Sequence, residues 1–337
     1  MDPTRRVPFG RTALTVTPLG LGSAPLGGLF EPVADETAHD VVRRAYDLGL
    51  RMFDTAPLYG YGLAERRVGH VLRDLPRAEF VLSTKIGRLI REPSQVRAGL
   101  DATGRGQFFG TPPLVPVFDY SREAVLHSFE ESLDRLGLDR IDVLHIHDPD
   151  VYMEQALSEA LPALVELREQ GKIGAIGSGM NYAEPLARFA RDGDFDCFLV
   201  AGRYTILDQA ALPELLPICE RKNIAIIIGG VFNSGILANL DRDPALQTFN
   251  YKPAEREWLE KARRIKAVCD RHNVPLPAAA LQFPLAHPAV ATIVSGARNV
   301  AELEENVRLI QHPIPPALWS DLKAEGLLPE AAPVPTS

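Results

Sequence analysis

Four side chains in the first half of the chain could do proton chemistry together: Asp54, Tyr59, Lys85 and His147. Asp54 closes the apolar stretch "RMFDT", and Tyr59 follows five residues later in "APLYGYG". Lys85 closes "FVLSTKI", and His147 closes "DVLHIHD". A free phenol titrates at about pH 10, too high to trade protons readily at neutrality. A neighbouring ammonium favours the phenolate and lowers that value, while a carboxylate paired with the ammonium keeps it charged and in place. An imidazole beside the phenol can donate to, or orient, a bound oxygen. The set is a tunable proton donor and acceptor facing a carbonyl or hydroxyl. Singly, each residue has a plainer reading: a turn cap for Asp54, a half-buried wedge for Tyr59, a rim charge for Lys85, a bond to Asp148 for His147. His145 and His147 are read as facing opposite sides of their strand, and no metal-ligand set accompanies them. No Ser or Cys sits in a nucleophile elbow. Proton transfer needs a hydride partner to complete an oxidation or reduction, and nicotinamide is the natural one.

Such residues meet only if the chain sets them at one end of adjacent strands. Short apolar runs recur at 19–24, 51–55, 80–86, 142–148, 173–179, 198–204, 225–231 and 291–297. Amphipathic segments lie between them. One begins on a capping-type Asp35 and closes at Gly49; another starts at Ser121 and ends at Gly137. Others fall near 64–75, 154–171, 183–191, 212–222, 254–272, 276–285 and 300–310. Eight strand-like runs, each followed by a helix, predict an α/β fold, a (β/α)8 TIM barrel forming one domain over residues 1–325. A doubly wound open sheet is the alternative, but no GxGxxG follows a first strand. In a barrel, chemistry sits at the C-terminal strand ends, where Asp54, Lys85 and His147 fall, with Tyr59 in the loop just beyond. "VPFGRTALTVTPLG" reads as an N-terminal β-hairpin closing the barrel's bottom. Residues 86–120 form a long loop after strand three, which could place Phe108, Phe109 or Phe118 over the mouth. The tail, 326–337, reads as flexible.

The formal net charge is -8 with Lys and Arg scattered, which argues against a nucleic-acid or anionic-membrane surface. The three cysteines are widely spaced, and no apolar run is long enough to span a bilayer, so a reducing cytoplasm is expected. No feature of the chain specifies an oligomeric state.

The motifs "LGLGSA", "FDTAPLYGYGLAE", "STKIG", "DVLHIHDPD", "GKIGAIGSGMN" and "VSGARNVAELEEN" resemble the aldo-keto reductases over roughly residues 7–325. Within that family they are most similar to the aldose 1-dehydrogenase branch, which takes in D-threo-aldose (L-fucose), L-galactose and pyridoxal 4-dehydrogenases. The resemblance implies Tyr59 as general acid/base, tuned by Lys85 and Asp54, with His147 at the substrate oxygen. It also implies a nicotinamide cofactor held by Gly22, Ser23, Asp54 and Asn181 near its reactive end. Gly230, Val231, Phe232, Asn233 and Ser234 would follow the pyrophosphate; Gly296, Arg298, Glu302, Glu305 and Asn306 would meet the adenosine. Several positions depart from the common pattern: Met180 lengthens the stretch before Asn181, Ala201 replaces a Gln, and Gly229 stands where an aromatic commonly stacks on nicotinamide.

A carboxylate at Glu302 repels a 2′-phosphate yet accepts from ribose hydroxyls, while Arg298 pulls the other way. The balance favours NAD, with NADP possible. The expected reaction is NAD-dependent oxidation of a small aldose at C1. Alternatives are pyridoxal oxidation, NADPH-dependent carbonyl reduction, Schiff-base chemistry at Lys85 and a non-catalytic cofactor-binding role.

Overall fold

Continuously apolar runs become parallel strands because both of their faces are buried, one toward a barrel axis and one toward a helix. The computed structural model describes residues 1–96, 108–243 and 246–336. Eight strands close into one barrel: β1 (Leu19–Gly22), β2 (Met52–Asp54), β3 (Val81–Ile86), β4 (Val143–His147), β5 (Ala175–Met180), β6 (Cys197–Ala201), β7 (Ala225–Gly229) and β8 (Val290–Gly296). Each pairs in parallel with its sequence neighbours, and β8 closes on β1. The expected barrel is the observed one.

The register builds the site. Asp54 lies level with Gly22 on one side and Ser83 on the other, Lys85 with His145, and His147 with Gly179. Below them Phe9, Val16, Met52, Val81, Val143 and Cys197 form a closed apolar floor. Phe9 reaches that floor from the N-terminal hairpin, in which Val7–Pro8 pairs with Thr15–Val16 around the Gly10-Arg11 turn. The hairpin does plug the bottom.

Around the barrel run α1 (Asp35–Asp47), α2 (Leu63–Leu72), α3 (Arg122–Leu136), α4 (Leu161–Glu169), α5 (Ala183–Asp192), α6 (Leu215–Lys222), α7 (Arg256–Arg271), α8 (Leu276–Gln282), α9 (Val300–Ile310) and α10 (Pro316–Ala324). Ser121 caps α3 as expected, its hydroxyl accepting from the Ala124 N–H, and Gly137 ends it in the left-handed region. Asp35 is not the cap of α1. Ala34 holds that position, and the Asp35 carboxylate instead meets Arg67, whose other nitrogens donate to Leu26 O and Val33 O.

Two excursions rise from the C-terminal face. After β3, Arg88–Arg91 pairs antiparallel with Val115–Phe118, so the stem of the expected loop is a hairpin; residues 97–107 lie outside the described residues. After β7, Thr248–Phe249 pairs with Lys252–Pro253. The tail departs from expectation, since Leu327, Leu328 and Ala332 are buried in the core and hold the chain beyond α10. Their apolar side chains were masked in sequence by the surrounding Pro and Ala. Among the described residues no helix is long and apolar enough to cross a membrane.

Candidate active site

At the mouth, the Lys85 ammonium donates to Asp54 Oδ2 at 2.7 Å and to Thr55 O at 2.7 Å. Ser83 donates to the other Asp54 oxygen at 2.7 Å. Both members of the pair are enclosed, Lys85 1% and Asp54 3% exposed, so a Schiff base at Lys85 would first have to break this pair. Lys85 Nζ lies 4.7 Å from the centre of the Tyr59 ring. The His147 ring stands edge-on to that ring at 6.0 Å. The structure therefore brings the four expected side chains into one cluster.

Its electrostatics differ from the expected scheme. Burial pushes the Tyr59 phenol well above its ordinary value, although the side chain opens onto the cavity, and the Asp54 and Asp148 charges add to the rise. The cation that opposes them is Arg88, not Lys85. Lys85 is held instead by Asp54 and Thr55 O, and the phenol meets the Asp54 charge without an offset from it. Burial likewise holds His147 well below its ordinary value, helped by Arg88, Lys85 and His145. At neutral pH the site presents a protonated phenol and a neutral imidazole.

His145 corrects a second expectation. Residues two apart on a strand share a face, and His145 points into the barrel with His147, one layer lower, fully buried. It fits because Gly177 has no side chain: a Cβ there would stand 2.2 Å from His145 Nδ1.

The loop carrying Tyr59 is held by backbone contact. A Cβ on Gly60 (φ +65°) would meet Gly27 O at 2.3 Å, and one on Gly27 would meet the Tyr59 carbonyl carbon at 2.6 Å. Only paired glycines let the loops after β1 and β2 approach this closely. Gly60→Ala should therefore cost at least about 1–2 kcal/mol from the left-handed backbone alone. It should also displace Tyr59, which thermal melting and turnover measured side by side will show as a lowered Tm and a disproportionate loss of rate. Behind β3, the fully buried Glu65 of α2 accepts from Thr84 Oγ1 at 2.7 Å and from Arg135 Nε at 2.6 Å. It clamps the residue next to Lys85, a support that sequence spacing does not reveal.

A cavity of about 620 Å³ leads away from this cluster. Its lining takes in Gly22, Asp54, Tyr59 and Asn181, then in sequence a middle stretch, Gly230 to Ser234, and then Gly296, which pairs with Gly22, with Arg298 and Glu302. Leu199, Ala201, Gly229 and Val294 add small or flat surface to its wall, where a larger side chain at 201 or 229 would intrude. The middle stretch turns through left-handed backbone at Gly230, Asn233, Ser234 and Gly235 (φ +46° to +100°). The turn closes on itself, Asn233 N–H donating to Gly230 O at 2.8 Å and Gly235 N–H to Phe232 O at 3.0 Å. The cavity's volume is within the ordinary range for small-molecule and cofactor sites.

Three expected cofactor residues stand elsewhere. Ser23 is buried behind Asp54, its N–H donating to Asp54 O at 2.9 Å, and does not line the cavity. Asn306 is buried and donates to Ser295 Oγ at 3.2 Å and Gly296 O at 3.3 Å, bracing the loop rather than lining the cavity. Glu305 is turned to Arg308 on the exposed side of α9. Its carboxylate is taken by Arg308, one turn further along the same face, and it does not line the cavity. Tyr204 is in the core against Phe283 and His287. Conversely, Phe30, Arg203, Arg242 and Phe249 to Tyr251 line the trench without having been singled out for it. The alternation of the 248–253 hairpin is too short to have marked them. Of the three loop aromatics, Phe108 meets Tyr59 at 6.2 Å and Tyr61 at 6.0 Å, Phe109 is exposed, and Phe118 packs on Tyr120 and Tyr152.

The fold is a TIM barrel with a Tyr, Lys, Asp and His cluster opening onto that cavity at the C-terminal strand ends. The aldo/keto reductase family model matches residues 18–325, and the chain belongs to that family. It is 41% identical over 320 residues to a D-threo-aldose 1-dehydrogenase of Pseudomonas sp, covering 94% of this chain and 96% of the relative. It is 40% identical over 343 residues to a pyridoxal 4-dehydrogenase of Microbacterium luteolum, covering 95% and 97%. Among solved structures, an aldo-keto reductase from Bacillus halodurans in its holo form shares the fold with a TM-score of 0.76 at 21% identity, covering 98% of each chain. The protein is an oxidoreductase acting on CH–OH groups, of a family that uses NAD or NADP.

Proposed function

We propose that this chain oxidises a small aldose of the L-fucose, D-arabinose or L-galactose type at C1 to the lactone, with NAD as the hydride acceptor. One observation supports it most: the cavity that Asp54 and Tyr59 line is lined at its α9 end by Arg298, already paired with Glu31 (2.7 Å) and bonded to Glu302. That end carries two carboxylates and one cation, so it accepts ribose hydroxyls and opposes a 2′-phosphate. Gly22, Asn181 and Gly230 to Ser234 would hold the remainder of the dinucleotide. A bound NAD would supply the acceptor for the hydride that leaves the anomeric carbon.

The protein's own residues manage the proton. The Tyr59 hydroxyl takes the proton of the sugar's C1 hydroxyl as phenolate, and neutral His147 donates to the same oxygen, fixing its position. The Asp54–Lys85 pair stops the ammonium from wandering and keeps the floor beneath Tyr59 rigid. Because burial raises the phenol's pKa, the phenolate fraction grows about tenfold per pH unit across the neutral and mildly alkaline range. Oxidation should climb with pH accordingly and still be rising at about pH 9, while His147, neutral throughout, adds no limb there. Initial rates from about pH 6 to pH 10 check both.

A second reading, oxidation of pyridoxal, is favoured by the 40% identical relative and by Phe108 lying beside Tyr59. Titration with NAD and NADP, followed by absorbance of the reduced cofactor with L-fucose, D-arabinose, L-galactose and pyridoxal, separates the readings. Tight NADPH binding without alcohol oxidation would overturn both. In the same assay Glu31→Gln/Glu302→Gln, which frees Arg298, should improve NADP affinity about tenfold and leave NAD affinity within about threefold.

A further inference from the structure

Arg88 begins the hairpin that rises directly from the strand of Lys85, and Asp148 follows His147. The two form an ion pair across the mouth, and their side chains are only 16% and 17% exposed. The guanidinium lies 4.7 Å from the centre of the Phe118 ring, its register partner in the hairpin. His147 Nε2 stands 3.7 Å from the same Asp148 oxygen that Arg88 holds, just outside hydrogen-bond reach. The backbone here has little freedom. Asp148 sits in the left-handed region (φ +46°), its N–H donates to Gly179 O at 2.9 Å, and the Tyr120 hydroxyl lies 2.6 Å from His147 O and 2.9 Å from Asp148 O. What remains undecided by the backbone is which donor the carboxylate takes.

We propose that Arg88 is a positioning residue that withholds the Asp148 carboxylate from His147, leaving the imidazole free to meet a substrate oxygen. The proposal rests on the hydride-transfer reading of the mouth. Arg is charged at every accessible pH and binds a carboxylate with strong, directed hydrogen bonds. Without it, a buried carboxylate lacks a counter-charge and recruits the nearest donor. That donor is His147 Nε2. The result is an imidazolium–carboxylate pair whose Nε2 is spent on Asp148. The groups facing His147 are Arg88 from the hairpin, Lys85 from β3, His145 from its own strand, Asp148 beyond it and Tyr59 from the loop after β2. Asp150 acts on Asp148 from the same loop. Removing Arg88 takes away one cation and releases one anion, and both changes favour protonated His147.

The test compares wild type with Arg88→Gln, Arg88→Lys and Arg88→Gln/Asp148→Asn. The first readout is the NMR titration of His147 in the ligand-free protein with labelled histidine, assigned against His147→Asn. In Arg88→Gln the His147 midpoint should rise from below the ordinary imidazole range to about one unit above pH 7. Its kcat/KM at pH 7 should fall about tenfold, with the deficit narrowing at higher pH. NAD affinity should hold, since the pair lies off the trench. Arg88→Lys should be intermediate, and the double variant should recover both the titration and most of the rate. An unmoved His147 titration in Arg88→Gln, or a double variant as slow as the single, overturns the proposal. If wild type oxidises no alcohol, the hydride-transfer reading fails, while the NMR comparison still decides whether Arg88 withholds Asp148.

Discussion

Tyr59→Phe should lower kcat/KM by about 10²–10⁴-fold while leaving the dissociation constant of NAD nearly unchanged. The ring stays, with its edge contact to His147 and its packing on Phe108, so only the hydroxyl that exchanges the proton is lost. No strong base remains nearby: burial holds His147 well below its ordinary value, so its imidazole is a weak acceptor, and Lys85 is committed to Asp54 and Thr55. The alkaline rise in rate should vanish along with the hydroxyl. Retention of more than about a tenth of the wild-type rate would assign the proton to another group.

The second large effect concerns stability. Lys85→Met leaves the Asp54 carboxylate buried with Ser83 as its remaining side-chain donor, and Asp54→Leu leaves the ammonium buried with Thr55 O. Breaking a buried pair by removing one partner costs about 3–5 kcal/mol, whereas removing both can be close to neutral. Each single variant should therefore unfold at much lower denaturant than wild type, and Lys85→Met/Asp54→Leu should recover most of the loss. All three should be poor catalysts. A double variant that is stable but inactive separates the two roles of the pair, while one as unstable as the singles would show that packing, not charge, governs this layer.

The barrel was legible because its signal is redundant: eight apolar runs with helices between them admit few other arrangements. The Asp54, Lys85 and His147 positions were legible for the same reason, each at a strand end that the period marks, with Tyr59 in the loop just beyond β2. What escaped depends on contacts without a local signature. Arg88 and Asp148 are 60 residues apart, joined only when the hairpin folds over β4. The lining hairpin at 248–253 has strands of two residues each, too short for any alternation to show. Glu305 resembled a cofactor residue by spacing, yet its carboxylate is taken by Arg308. His145 was assigned to the wrong face although strand parity alone places it beside His147. Leu327 and Leu328 look like tail residues until the core behind α10 is seen to accept them.

The most direct test uses L-fucose carrying deuterium at C1, NAD and the wild-type protein, with mass analysis of the reduced cofactor and the sugar product. The account predicts deuterium in the reduced cofactor, a lactone product, and loss of both in Tyr59→Phe. Reduced cofactor without deuterium, or no reduced cofactor with any of the aldoses at alkaline pH, would contradict it.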